Sequence, residues 1–287
     1  MNIKRISKIV GGQDGVIWKN ELFRFNHKGE CNVYQLSEIE SDCIKELEPF
    51  ATFVLDKAEL IAPHSNAVSF GAEYFSPTDE YPLLYTNIYN NYAKYEDKMM
   101  GVCLVYRIQR TENGFSTTLL QMIEIGFCSD VDLWKAHPDE HGVRPYGNFV
   151  IDREKNSYWA FVMRNEEKGT RYFRFDLPSV HDGEWDARFN IKKIVLRASD
   201  IREYFDLGYS RYIQGATVRE GKLYSTEGFS GDEVNRPAIR VIDLAARREE
   251  YYDIMTLGFS NEAELISFYN DTCLYSDFHG DLYAVEF

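Results

Sequence analysis

Polar side chains that could bind or transform a ligand stand at the starts of several short apolar segments of this chain. Their amides, imidazole, phenol and carboxylates form a mostly neutral set, which suits hydrogen bonding to a sugar, an amino acid or a peptide. The same side chains could instead, together with water, simply fill the interior of the fold. The residues concerned are Gln13, Asp14, His64, Asn66, Tyr146, Asn148, Gln214 and Glu262.

Catalytic and metal chemistry find less support in this set. A glycosidase needs paired carboxylates about 5–10 Å apart. Of the first three segments, only the first supplies an acid, Asp14, whereas the second and third have His64 and Asn66, and Tyr146 and Asn148, in the corresponding places. A divalent cation at this site is compatible with the oxygen and imidazole groups, although their spacing matches no metal signature. We therefore predict no cofactor and no metal ligand. His64 and Asp14 remain catalytic candidates.

A repeated pattern indicates the elements that position these residues. Five units each contain an apolar-aromatic pair, followed by a segment in which an apolar, a polar and an apolar residue alternate, as in solvated strands. The pairs are Leu22-Phe23, Leu84-Tyr85, Tyr158-Trp159, Leu223-Tyr224 and Leu274-Tyr275. The alternating segments are Tyr34-Gln35-Leu36, Tyr106-Arg107-Ile108, Phe175-Asp176-Leu177, Ile242-Asp243-Leu244 and Val285-Glu286-Phe287. Repeats of this length indicate a solenoid or a propeller.

An all-β, five-bladed β-propeller accounts for these units, with six or seven blades as the alternative. Innermost strands are predicted at 15–18, 67–70, 148–151, 216–218 and 264–268, and outer strands at 52–55, 119–125, 191–196 and 251–257. The fifth unit lacks an outer strand, and we expect residues 3–10 to supply it, because closure removes an exposed sheet edge. The high aromatic content agrees with an all-β class. No linker divides the chain, so we predict a single domain, 1–287.

Long connections locate the predicted site. Residues 87–101, 128–147, 199–212 and 227–237 would all project from the face of the disc that carries the polar residues, and functional residues concentrate on such loops. Trp134 and Tyr146 on these loops could stack on a sugar face or an apolar side chain. Growth of the loops on one face by chance remains the alternative.

The fourth unit resembles the plant-type glutaminyl cyclases. It reads Tyr212-Ile213-Gln214-Gly215, then 223–229 as LYSTEGF and 240–244 as RVIDL, similar to the aromatic-Thr-Gln-Gly and Tyr-Glu-Ser-Thr-Gly stretches of that family. The resemblance implies a five-bladed propeller that cyclises N-terminal glutamine, and it covers one blade. Ser225 occupies the position of the family's functional Glu, and Glu227, two residues further along, would lie on the same face of a strand. Glu227 is therefore the candidate proton shuttle, and Gln214 would orient the substrate.

Composition narrows the partners. The net charge of −14 opposes binding to nucleic acids or anionic membranes. The five cysteines are widely spaced and odd in number, and no secretory signal precedes Gly11, which together predict reduced thiols and a cytoplasmic protein. No phosphate loop, nucleophile elbow or CxxC pair is present. We predict a polar, aromatic-rimmed pocket that binds a saccharide, a peptide or a similar small polar molecule. Both simple binding of this ligand and its enzymatic turnover are compatible with the sequence. A glutaminyl-cyclase-like acyl transfer and a protein-interaction platform are the alternatives.

Overall fold

The computed structural model describes residues 1–39, 44–61, 63–88, 102–125 and 150–287. Its strands form five sheets arranged as the blades of a propeller, which confirms the predicted class and blade number. The innermost strands touch one another in cyclic order around a central axis. We call the space along this axis, enclosed by the five innermost strands, the channel. Each blade starts at the same face of the disc, which we call the entrance face. The hairpin after each innermost strand lies at the opposite, exit face.

The blades follow one another in chain order. A closing strand β1 (Asn2–Lys8) precedes blade 1, which contains β2 (Gly15–Trp18), β3 (Glu21–Phe25), β4 (Glu30–Gln35) and β6 (Ala51–Val54), with the short β5 (Lys45–Glu46) before its last strand. Blade 2 contains β7 (Val68–Phe70), β8 (Leu84–Ile88), β9 (Val102–Thr111) and β10 (Gly114–Ile125). Blade 3 contains β11 (Val150–Asp152), β12 (Ser157–Asn165), β13 (Gly169–Asp176) and β16 (Glu203–Leu207). Between its last two strands lie β14 (Glu184–Asp186) and β15 (Ile191–Leu196).

Blade 4 contains β17 (Ile213–Arg219), β18 (Lys222–Glu227), β19 (Ala238–Asp243) and β20 (Arg248–Asp253). Blade 5 contains β21 (Ala263–Tyr269), β22 (Thr272–Asp277) and β23 (Asp281–Glu286), and β1 completes it. Short helical turns at Leu36–Glu38, Ala58–Ile61, Ala198–Asp200 and Ile254–Leu257 follow or connect strands. The β17–β18 hairpin is an example of the short connections within a blade. Its two turn residues, Glu220 and Gly221, both have positive φ, 51° and 72°, as a two-residue type I′ turn requires.

Closure by the first strand is confirmed. β1 pairs antiparallel with β23, from Asn2 opposite Glu286 to Lys8 opposite Asp281, with an irregularity between Arg5 and Ser7. β5 then pairs parallel with β1 and covers its other edge. The ladder of blade 5 therefore joins the two ends of the chain and leaves no open edge on β23.

The apolar core is divided among the blade interfaces. Each pair of neighbouring blades encloses its own buried cluster, and the aromatic residues provide much of the area. Between blades 1 and 2, for example, the ring of Phe23 packs edge-on against Phe70 and Tyr81, with centroids 5.5 and 5.6 Å apart. This packing fixes the blades rigidly and so fixes the strand ends that carry the candidate site.

The outer strand of blade 3 differs from the prediction. Residues 203–207, not 191–196, pair with β13, and Arg171 and Arg174 lie directly opposite Asp206 and Glu203. Ile191–Leu196 instead pairs parallel with β10 and extends blade 2. The reason is packing: Ile191 is buried in the core between blades 1 and 2, and Leu196 in the core between blades 2 and 3. Residues 199–212 are consequently not the long loop that the sequence predicted.

Long connections also lie on the exit face, so the enlargement is not one-sided. Residues 71–83 join β7 to β8, and residues 177–202 join β13 to β16. The two segments contact each other, since the Ser179 hydroxyl donates to Glu73 Oε1 at 3.3 Å and the rings of Phe75 and His181 lie 6.0 Å apart. The exit face is therefore elaborated as well.

Cys31, Cys103 and Cys273 are buried free thiols, as predicted, while Cys43 and Cys128 lie outside the described residues. Burial raises the pKa of each of the three thiols above its ordinary value.

Across the described ranges, no helix is long and apolar enough to span a bilayer.

Candidate functional site at the channel entrance

The predicted polar residues do meet at the entrance face, where four of the innermost strands begin. Gln13 and Asp14 immediately precede β2, His64 and Asn66 precede β7, Gln214 is the second residue of β17, and Glu262 immediately precedes β21. Tyr146, Asn148 and Trp134 lie outside the described residues.

Side-chain hydrogen bonds join these residues across blade boundaries. The Gln13 amide lies between two neighbours: its Oε1 is 2.7 Å from His64 Nε2, and its Nε2 donates to Glu264 Oε1 at 3.3 Å. On the other side of Glu264, Gln214 Nε2 donates to Glu262 Oε1 at 2.5 Å and to the Gly228 carbonyl at 3.3 Å. We call Gln13, His64, Gln214, Glu262 and Glu264 the entrance arc. Residues from blades 1, 2, 4 and 5 thus share one site.

Buried charged groups lie at the base of the arc and beneath it. Asp14, Arg24 and Glu264 are almost wholly buried. Asp14 Oδ2 accepts from the Val68 amide at 3.0 Å, and Arg24 Nη2 donates to the carbonyls of Gly12 and Asp277 at 2.8 and 3.2 Å. Glu264 Oε2, and Nε and Nη1 of Arg24, have no hydrogen-bond partner among the described residues. Buried polar atoms without partners are costly and frequent at functional sites.

The electrostatics of the site follow from burial. Desolvation raises the pKa of Asp14 and of Glu264 well above the usual carboxyl range, against the opposing attraction of Arg24. The neighbouring Glu262 raises the pKa of Glu264 further, and burial also raises the pKa of Glu262 itself, against the hydrogen bond from Gln214. One buried guanidinium therefore faces several carboxyl groups. Because burial disfavours their charged forms, these carboxyl groups keep their protons to a higher pH than they would in water.

Gly215 allows the strands to approach each other below the arc. A Cβ atom on this residue would lie 2.3 Å from the Glu264 carbonyl oxygen and 3.0 Å from Asp14 Oδ1. A side chain is therefore excluded at Gly215. The Gln-Gly dipeptide of the sequence resemblance thus has a physical role here: the amide joins the arc, and the glycine lets β17 pack against β21.

Glu227 is not part of this arrangement. It is the last residue of β18, although the long connection predicted at 227–237 had included it, and it is buried. Its carboxylate accepts from Arg240 Nε at 2.9 Å and from the Arg211 amide at 2.7 Å, while Arg240 also pairs with Glu249 at 2.6 Å. These contacts describe a buried structural ion pair. The carboxyl group that touches Gln214 is Glu262 instead.

Sequence reasoning missed Arg24 and Glu264. Both are charged residues within strands, Arg24 between Phe23 and Phe25 and Glu264 between Ala263 and Leu265. A charge inside an apolar strand is the available signal, because such residues are rarely fully buried unless they have a specific role. Within the described ranges, no group of three or more His, Cys, Asp or Glu side chains is arranged to hold a metal ion.

Comparisons with known proteins support the architecture. No family model and no curated protein matches this sequence. Among solved structures, the chain is similar to the glutaminyl cyclase of Myxococcus xanthus, with a TM-score of 0.51 and 10% identity over 99% of this chain and 98% of that one. It also matches Sqt1 of Saccharomyces cerevisiae, with a TM-score of 0.35 and 7% identity, over 92% of this chain and 54% of that one. The first likeness extends over the whole propeller and shows a shared fold.

Proposed function

We propose that the channel entrance binds a small polar ligand through an amino group, as the N-terminal end of a peptide presents it. The observation that carries this proposal is the entrance arc, in which Glu262 and Glu264 are joined to amide and imidazole groups from other blades. A carboxylate pairs with an ammonium group, and the amides of Gln13 and Gln214 can bond the adjoining peptide unit.

Accessibility assigns the residues different parts. Glu262 is half-buried and Gln13 and His64 are partly exposed, so all three can touch a ligand. Glu264 and Asp14 are almost wholly buried below them and do not contact a ligand directly, but a bound ammonium group would favour their ionised forms. The carboxyl groups favour a cationic ligand over a neutral saccharide, because Arg24 alone opposes several of them and an ammonium group would add a second counterion.

The test uses a short peptide in two forms, with a free and with an acetylated N-terminus, measured by isothermal titration calorimetry. The free peptide should bind, and acetylation should weaken it about ten- to a hundredfold through loss of one charge-assisted hydrogen bond. Glu262→Gln should reduce the affinity similarly, whereas Glu167→Gln, at an exposed residue of the β12–β13 connection outside the entrance arc, should have no effect. Equal binding of both peptide forms would contradict the proposal, and binding of a neutral oligosaccharide in their place would favour the saccharide alternative.

Cyclisation of an N-terminal glutamine is the second candidate. The observation that favours it is the 2.5 Å contact between Gln214 and Glu262, a carboxyl group whose pKa burial raises. In that reaction the α-amino nitrogen attacks the side-chain amide carbon and the bond to the amide nitrogen breaks. Glu262 would accept the proton from the amine and deliver it to the departing ammonia. Glu262 would thus take the role that the sequence gave to Glu227.

Ammonia release from a Gln-initiated peptide tests this second candidate directly. Glu262→Gln should abolish release, while Glu227→Gln, compared at a temperature where it is folded, should retain it. Peptide binding without any ammonia release would leave the binding function in place and exclude the cyclase.

A further inference from the structure

A separate cavity lies at the other end of the channel. It has a volume of about 180 Å³, and all five innermost strands contribute to its wall. A single ordered water needs only about 10–15 Å³ of such space, so the cavity admits a small organic molecule. Its residues stand about three positions further along the strands than the entrance arc, which is roughly 10 Å at about 3.3 Å per residue. Gly215, where β17 approaches β21 closely, lies between the two.

The lining of this cavity has the opposite charge to the entrance. It contains two arginines, Arg153 and Arg219, and no acidic residue, in a protein with a net charge of −14. The Arg153 guanidinium lies over the Trp18 ring, 4.4 Å from its centroid, and forms no ion pair with any carboxylate in the described ranges. Arg219 is held in place by Asp271 at 2.6 Å, by Glu220 at 3.2 Å and by the Asn270 carbonyl.

Hydroxyl groups line the inner part of the cavity. Ser69 and Ser267 accept hydrogen bonds from the backbone amides of Ile151 and Ile17, at 3.4 and 3.3 Å, so their own O–H groups are oriented by the strands and can still donate. Thr217 adds a third hydroxyl. The rest of the wall is apolar and includes Phe70 and Phe268. Donors at the rim and the base, with apolar walls between them, are suited to an anion that carries a short apolar body.

We propose that this exit cavity binds a small organic carboxylate. The carboxylate bonds the Arg153 guanidinium and a hydroxyl of the serine-threonine group, and the apolar part of the ligand lies against Phe70 and Phe268. Arginine suits this role because its planar fork matches the two carboxylate oxygens. The site is independent of the proposed function at the entrance, since the two share no residue.

Benzoate is the probe for this site, with benzamide as its neutral analogue of the same shape and inorganic phosphate as an anion without an apolar body. By calorimetry, benzoate should bind saturably to the full chain, and benzamide about ten- to a hundredfold more weakly. Arg153→Gln should reduce benzoate affinity by a similar factor. This change should not impair folding, because Arg153 is exposed in a turn. Thr217→Val should also weaken binding.

Arg188→Gln is the matched control, because Arg188 is exposed in the long segment 177–202 and does not line the cavity. Its benzoate affinity should equal that of the wild type. Failure of benzoate to saturate, equal binding by the Arg153 and Arg188 variants, or preference for phosphate over benzoate would each overturn the proposal. Peptide binding at the entrance should be unchanged in Arg153→Gln, so failure of one site is distinguishable from failure of the other.

Discussion

At the scale of single residues, the entrance site stores unfavourable energy. Glu264 is buried with one oxygen unpartnered among the described residues, beside Glu262 and Asp14, and a single guanidinium opposes them. Replacing such buried charges by apolar residues of similar volume is often neutral or stabilising, because burial removes them from water at a cost in free energy. Under the proposed function, the ammonium group of the ligand would compensate this cost.

Glu264→Gln tests this explanation through the pH dependence of stability. Burial raises the pKa of Glu264 in the folded state, so the folded protein holds this proton to higher pH than the unfolded chain does. The stability that this proton contributes is fully present below the unfolded pKa of about 4.3 and is lost as pH rises through the folded value. The variant should therefore be more stable than wild type at pH 8, on the order of 1–3 kcal/mol.

The difference should shrink as pH falls towards 4, and urea unfolding at several pH values measures it. Glu167→Gln serves as the exposed control, for which no such trend is expected. A Glu264→Gln variant that is less stable than wild type at pH 8 would show that the carboxylate is well compensated in the folded state.

At the scale of elements, ion pairs act in two ways. Arg171 lies opposite Asp206 and donates to it from Nε and Nη2, both at 2.7 Å, on the partly exposed outer strands of blade 3. Glu227 and Arg240 form a pair that is about 95% buried or more. The first pair helps select β16 as the outer strand. The second joins β18 to β19 within blade 4, and Arg240 also donates to the Tyr209 carbonyl in the segment between β16 and β17, at 3.2 Å.

Asp206→Asn and Glu227→Gln should separate these roles. Loss of the exposed pair should cost less than about 1 kcal/mol of unfolding free energy. Loss of the Glu227 carboxylate should cost about 3–5 kcal/mol, towards the lower end because Glu249 still neutralises Arg240. Urea denaturation gives both values, and peptide binding by Glu227→Gln well below its melting temperature gives a second readout. If peptide binding were lost in this folded variant, Glu227 would belong to the site after all.

These elements also show what the sequence could predict. Hairpins such as β17–β18 follow from local alternation and turn residues, and the entrance residues follow because each stands just before such a strand. The placement of Ile191–Leu196 could not be found locally, since its parallel partner β10 is separated from it by much of blade 3. The spacing of Arg171 and Arg174 against Glu203 and Asp206 was a usable signal for β16. Arg24 was missed because its strand otherwise looks like plain core.

At the scale of the molecule, the channel has two chemically different ends. Carboxyl groups dominate the entrance, and two arginines dominate the exit cavity. Gly215, where β17 approaches β21 closely, lies between them, and the tightly packed blade interfaces prevent either end from rearranging freely. Both ends depend on the same condition, a closed ring that keeps five innermost strands in fixed register. Closure is provided by one ladder, between β1 and β23.

Removal of residues 1–10 should therefore destabilise the whole ring, although these residues lie at the end of the chain. The truncation exposes the edge of β23. It also removes Ile3, a residue of β1 that packs against the core between blades 4 and 5. We expect a loss of several kcal/mol and aggregation, measured by thermal unfolding and size-exclusion chromatography. The matched control is a circular permutant that starts at Gly221 and joins Phe287 to Met1 through Asn-Gly, which makes β23–β1 a hairpin. The permutant also moves the chain ends but keeps the ladder, so it should elute as the wild type does, with a melting temperature near that of wild type. Equal stability of the truncated and permuted proteins would refute closure by β1 as the source of ring stability.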